Sequence, residues 1–202
     1  TVALAFLLAS GIAAAGQIDV EAPWRGWSSE QGRGEISLRV PASDVAGPVA
    51  IALQAGAQRV DSEVVALRGV PTTLRLPAPG AMPISVTAST ADGAVHTGRF
   101  EFQHSEHPIL AWVSASTVDR ADADVHLLAV AAVDLPHLAY GYDNIAGVAI
   151  DDASLKALDD AQALALLQHV RDCGFTMLLG VAADAAGALG QAAGCGGRQL
   201  IV

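Results

Sequence analysis

From Gln17 to Gln103 apolar and polar residues alternate in short runs: Gln17-Ile-Asp-Val-Glu21, Glu35-Ile-Ser-Leu-Arg-Val40, Val49-Ala-Ile-Ala-Leu53, Ser62-Glu-Val-Val-Ala-Leu67, Thr73-Leu-Arg-Leu76, Ile84-Ser-Val-Thr87 and Arg99-Phe-Glu-Phe102. A period of two places one set of side chains in a core and the other in water, the pattern of a half-buried strand. Turn residues separate the runs: Gly32 and Gly34, Gly47-Pro48, Gly69 with Pro71, Pro77 through Pro83, and Asp92-Gly93. Seven short strands at this spacing predict an antiparallel β-sandwich of the immunoglobulin-like kind. The expectation rests on strand rhythm, since no Cys-Trp-Cys core signature accompanies it.

The rhythm changes after His104-Ser-Glu-His107-Pro108, a polar stretch whose proline disfavours helix before it and suits a linker. The domain boundary is placed there, with a sandwich over 17–104 and a second domain over 108–202. Ile109–Val113, Val125–Val133 and Ile145–Ile150 are continuous apolar runs, as expected of strands covered on both faces. Leu155, Leu158, Ala161, Leu164 or Ala165, and Leu167 or Gln168 then recur at helical spacing, with Ser154 or the Asp151-Asp152 pair offering N-cap oxygens. Gly174 is the expected stop, Phe175–Val181 the next strand, and Arg198–Val202 the start of another. Strand, crossover helix and strand describe an α/β sheet. Its abrupt end leads us to expect a fragment at both termini.

Thr1 to Ala15 is an uncharged apolar run with Ala13 and Ala15 placed as in an A-x-A cleavage site, so 1–16 reads as a signal-peptide remnant and the protein as exported. A buried first helix or strand is the other reading. The formal net charge of −10 and a single lysine, Lys156, argue against a phosphate-binding surface, and so against nucleic acid and anionic membrane as partners. Only Cys173 and Cys195 are available for a bridge, which an oxidising compartment permits; two buried thiols fit equally.

Tyr142, Asp143, the strand Ile145–Ile150, Asp151, Leu158, Gln162, Leu166, Gly174 and Gly180 form an order of features that resembles the glutamine amidotransferase-like domains of bacterial envelope proteins. The resemblance spans roughly the 40 residues from Tyr142 to Gly180, with Cys173-Gly174 where the family has a double glycine. It implies a Rossmann-like (flavodoxin-like) fold and a periplasmic or extracytoplasmic location, with an anchor outside this chain compatible with it. It further implies a non-catalytic binding or scaffolding role among envelope or membrane proteins.

Candidate chemistry is sparse, and no cofactor motif is present. Gly194-Cys195-Gly196-Gly197 is closest to a nucleophile elbow, but it follows an Ala-rich stretch and precedes an apolar run, the reverse of strand-then-helix. Cys195 is therefore a weak catalytic candidate. A hydrolase or amidotransferase-like enzyme using Cys195, or a nucleophile after Val202, stays as the alternative. His104, Glu106 and His107 could ligate zinc but sit in the linker, and Asp119, Asp122 and Asp124 lack the calcium-loop pattern, so no metal is expected. Asp151 and Asp152, just after a strand, could bind a ligand or cap a helix. Trp24 and Trp27 could stack on a sugar or partner, or one could close the sandwich core.

Overall fold

In the computed structural model of the chain the described residues are 16–28, 33–80, 82–114, 120–121, 124–172, 174–181 and 199–201. The leader-like run 1–15, Cys173 and Cys195 lie outside them.

The alternating runs form β1 (Gly16–Gln17), β2 (Asp19–Glu21), β3 (Trp27–Ser28), β4 (Arg33–Val40), β5 (Gly47–Ala55), β6 (Gln58–Ala66), β7 (Thr72–Pro79), β8 (Ile84–Ser89) and β9 (Val95–Phe100). They assemble as one sheet in the order β1-β9-β8-β5-β6 and a second in the order β2-β4-β7. The opening strand is shared between them: β1 runs parallel to β9, and past Ile18 β2 runs antiparallel to β4. Period-two alternation points Ile36, Leu38 and Val40 of β4 at Val49, Ile51 and Leu53 of β5 and Ile84 and Val86 of β8, in one buried cluster. This is an immunoglobulin-like sandwich in sheet order and in core.

Two boundaries differ from expectation. Pro77 and Pro79 belong to β7 rather than to a turn, because β7 is an edge strand and lacks a neighbour on one side to receive an N–H. The last strand of the sandwich lies at Val95–Phe100 rather than starting at Arg99, Phe102 packing into the core beyond its end.

The rest of the chain supplies β10 (Gln103–His104), β11 (Ile109–Val113), β12 (Arg120–Ala121), β13 (His126–Val130), β14 (Gly147–Asp151), α1 (Asp152–Lys156), α2 (Asp160–Arg171), β15 (Phe175–Leu179) and β16 (Gln199–Ile201). One sheet holds six of these strands in the order β12-β13-β11-β14-β15-β16, all parallel except β12. β10 pairs with β3 instead, so the polar connection begins as a strand of its own. Ile109, Ala111 and Val113, with Val148 and Ile150 beside them, face Ala165 and Leu166 of α2. Leu110, Trp112, Leu127, Phe175, Met177 and Leu179 alternate to the opposite face, half-buried and outside that cluster.

The single expected helix is broken in two. Asp159 accepts from the Gln162 backbone N–H at 2.8 Å while the Gln162 side chain accepts from the Asp159 N–H at 3.1 Å, a capping box that starts α2 afresh. The inward residues of α2 are Gln162, Ala165, Leu166 and Val170, and Leu164 is 66% exposed. The run Val125–Val133 also stops as a strand at Val130 and turns into a 3-10 segment, Ala132–Asp134. A second 3-10 segment, Ala139–Asn144, precedes β14. Among the described residues no helix is long and apolar enough to cross a membrane.

Candidate functional site between the two halves

The outer face of β4 carries Glu35 and Ser37, with Arg75 of β7 directly opposite Ser37 in the ladder. In an isolated sandwich all three would meet water. Here the connection after β13 packs over them, and Glu35 is left only 2% exposed. Its Oε2 accepts the backbone N–H groups of His137 at 3.0 Å and Leu138 at 2.9 Å. Arg75 Nε stands 3.6 Å from Oε1, and His137 Nδ1 3.8 Å from the same oxygen. On its other side His137 meets Asp159 of the α2 cap, Nε2 to Oδ2 at 3.1 Å. A polar line, Arg75–Glu35–His137–Asp159, thus crosses from sandwich to parallel sheet.

This line floors a cleft of about 420 Å³, whose walls include Glu21 and Pro23 from the sandwich and Asp134 and Gln162 from the second half. Burial raises the Glu35 carboxyl above its usual range, against the pull of the two N–H groups and Arg75. Burial, with Arg75 nearby, pushes the His137 imidazole down, and Asp159 pulls it partly back. Gln162 has no spare donor capacity: its Nε2 donates to the carbonyls of Ala132, Val133 and Leu135 at 3.0–3.3 Å. The Ser37 hydroxyl hydrogen-bonds to none of these groups. A nucleophile needs a base within about 2.6–3.2 Å, so no Ser–His pair is assembled.

The halves approach closely where glycine permits it. A Cβ on Gly141 would lie 3.3 Å from Glu35 Cβ, and one on Gly34 would lie 2.8 Å from Asn144 Nδ2. Trp24 enters beside them, donating its indole N–H to the Gly141 carbonyl at 2.7 Å and meeting Tyr142 edge-on with centroids 5.3 Å apart.

A second cavity, about 550 Å³, opens at the amino ends of β14 and β15 and is lined by Tyr140, Asp143, His169 and Asp172 among others. His169 stacks on Tyr142 at 4.8 Å, and burial lowers its imidazole. The Tyr140 hydroxyl is pushed up to about 12, by burial first and then by Glu35. The Tyr142 hydroxyl and His169 Nε2 are buried without a hydrogen-bond partner.

The residues singled out from sequence are dispersed. Asp151 caps α1, accepting from the Ser154 N–H at 2.7 Å, and Asp152 pairs with Lys156 one turn on, at 2.6 Å. Neither lines the cleft of about 420 Å³. Trp24 is 1% exposed and so offers no face to a ligand. It packs in the parallel-sheet core rather than closing the sandwich core, and Trp27 packs beside it, edge-on to His126. Cys195 lies outside the described residues. His104, Glu106 and His107 are exposed, and among the described residues no group of three or more His, Cys, Asp or Glu could hold a metal. Glu35, Arg75, His137 and Asp159 were not expected. Only the Asp159-x-x-Gln162 spacing carries a sequence signal, that of a capping box.

No protein-family model matches this chain, and no curated protein does. Among solved structures, a bacterial immunoglobulin-like domain from the M. primoryensis ice-binding adhesin aligns at 19% identity and a TM-score of 0.34, over 46% of this chain and 100% of that one. A superoxide reductase (neelaredoxin) from Ignicoccus hospitalis aligns at 11% identity and a TM-score of 0.31, over 44% of this chain and 80% of that one. At such scores neither likeness bears on fold or chemistry, which follow from the chain's own topology and contacts.

Proposed function

We propose that this protein is an exported, non-catalytic binding or scaffolding component of the bacterial cell envelope, built as a β-sandwich fused to a flavodoxin-like, glutamine amidotransferase-like domain. The parallel strands, taken in chain order, lie as 2-1-3-4-5, which supports the flavodoxin-like reading. The observation that carries the non-catalytic part is the state of the cleft's polar groups. Glu35 holds two backbone N–H groups, Asp159 caps a helix, Gln162 is saturated by three carbonyls, and Ser37 has no base. Glu35, Asp159 and Gln162 each already serve a structural partner, which supports the non-catalytic reading. The leader-like run 1–15 supports export.

The test has two arms. Purified protein is treated with a fluorophosphonate and with iodoacetamide at neutral pH, and no rapid labelling of Ser37 or Cys195 is expected. In bacterial cells a photocrosslinker at Asp134, an exposed cleft residue, should trap an envelope protein in the extracytoplasmic fraction, while one at Asp61 on the sandwich should not. Fast labelling of either nucleophile would favour the hydrolase reading. Retention in the cytoplasm with the leader intact would remove the envelope assignment.

A further inference from the structure

The segment that leads Trp24 into the second half has an unusual backbone. Trp24 and Arg25 have φ of +56° and +53°, and Gly26 follows at +80°. Only the glycine takes this left-handed region freely, because a Cβ there crowds the backbone carbonyl. Two successive side-chain-bearing residues in that region need a surrounding structure that over-determines them. Both are tied to the parallel-sheet half: the Trp24 indole donates to the Gly141 carbonyl at 2.7 Å, and Arg25 Nη1 reaches the Ala129 carbonyl at 3.5 Å. The preceding Ala22 and Pro23 form part of the cleft wall. Within the sandwich, β2 ends at Glu21, and Gly26 then passes over the Phe100 ring at the end of β9, where an added Cβ would lie 3.3 Å from Cζ.

We infer that Trp24–Gly26 is a strained strap, held by the seating of Trp24 in the parallel-sheet core, whose release opens the cleft between the two halves. Seating buries the indole among Tyr142 and its neighbours and offsets the left-handed turn. Withdrawal relaxes the turn, frees the cleft wall at Pro23 and leaves the Glu35 line and the Gly34–Asn144 approach as ties. This device operates whatever the cleft binds, and it stands apart from the envelope assignment.

The test uses the full chain and compares R25G with R25A. Both remove the guanidinium, but only R25A keeps a Cβ at φ +53°. R25G is expected to melt about 2–4 °C above R25A, although the looser unfolded chain of a glycine variant works the other way. Hydrogen exchange at the His137 and Leu138 amides, which donate to Glu35, should be severalfold faster in R25A than in R25G. Calorimetry of W24A should resolve two transitions where the wild type shows one, and W24F, which keeps a ring in the core, should retain one. Equal melting and equal exchange in R25G and R25A would overturn the strap, as would a single W24A transition. If W24A does not fold, the Arg25 pair alone decides.

Discussion

Two strands of the same sandwich carry charges on their outer faces, and their fates differ. Along β6 Arg59, Asp61 and Glu63 stay in water, Arg59 and Asp61 pairing at 2.9 Å with both side chains more than half exposed. Along β4 Glu35 occupies an equivalent outward position and is buried, because the second half of the chain packs on that strand. The first arrangement is a screened surface pair that adds little to stability. The second takes a carboxylate out of water, and its favourable balance depends on the two N–H groups and the arginine that meet it. The lesson is that the sign and size of a charge's contribution are set by what covers the strand, which local pattern does not encode.

The largest effect should come from breaking the buried member. E35A leaves the His137 and Leu138 N–H groups without an acceptor in a dry contact, at about 1–3 kcal/mol each. A loss of about 3 kcal/mol, or about 6–12 °C in melting temperature, is expected. E35Q keeps an oxygen for the same donors and sheds the cost of burying charge, so it should lose well under half of that. If E35A and E35Q melt alike, the backbone contacts carry no weight and the interface is held by Trp24 and the apolar packing alone.

Next in size is the pH response of the same line. His137 faces Glu35 from β4, Arg75 from β7 and Asp159 from the α2 cap. Its imidazole is held below the ordinary 6.5, by burial first and Arg75 second. The unfolded chain therefore takes up this proton first on acidification, and His137 withdraws stability as pH falls below about 6.5. Glu35 acts in the opposite sense. Its carboxyl is raised above 4.5 by burial, so the stabilisation tied to its protonated form is complete below 4.5 and is lost as pH rises through the higher folded value. Urea midpoints between pH 7.5 and 5 should fall for the wild type, fall less for H137Q and fall more for E35Q. His169, also lowered by burial, should leave a residual slope in H137Q. Parallel curves for the three proteins would show that the line does not titrate as its geometry requires.

What the sequence made legible follows from the same contrast. Where one face is core and the other is solvent, as in β5 and β8, alternation alone places the inward residues correctly. Where two halves meet, it fails. Glu35 falls on the outward side of its run, Trp24 and Trp27 read as a ligand platform or a plug for the sandwich core, and Gln162 reads as part of a family-like pattern with nothing to show that it is buried and saturated. The helix break at Asp159 had a local signal, the Asp-x-x-Gln capping box, but the leucine spacing across it was continuous and concealed the restart. Pro77 and Pro79 read as a turn because edge strands tolerate proline, and edges are known only once the sheet order is.

A smaller effect should come from the β8–β9 turn, where an exposed carboxylate is anchored locally. Asp92 accepts from the Thr90 hydroxyl, the Ala94 N–H and the Ser43 hydroxyl, which together lower its carboxyl to about 2. A depressed carboxylate contributes stability that is present above the ordinary 3.8 and is lost as pH falls toward 2. D92N should therefore melt below the wild type at neutral pH, by less than E35A does, with the gap closing on acidification. A gap that stayed constant down to pH 2 would mean that the turn depends on the shape of the side chain and not on its charge.

The smallest effect should come from the solvated member of the opening comparison. R59A removes the partner of Asp61, yet both side chains sit in water on an edge strand, so the freed carboxylate is rehydrated rather than stranded. The melting temperature of R59A should match the wild type within error, and 0.5 M salt should not separate them. R75A removes an arginine from the adjoining sheet at the same kind of outward position, but the carboxylate it leaves, Glu35, has no water to turn to. A drop in R75A beside an unchanged R59A would show that the burial of the acidic partner sets the effect. If R59A fell as far as R75A, exposure would not separate the two strands, and the outer face of β6 would have to be covered by something in solution.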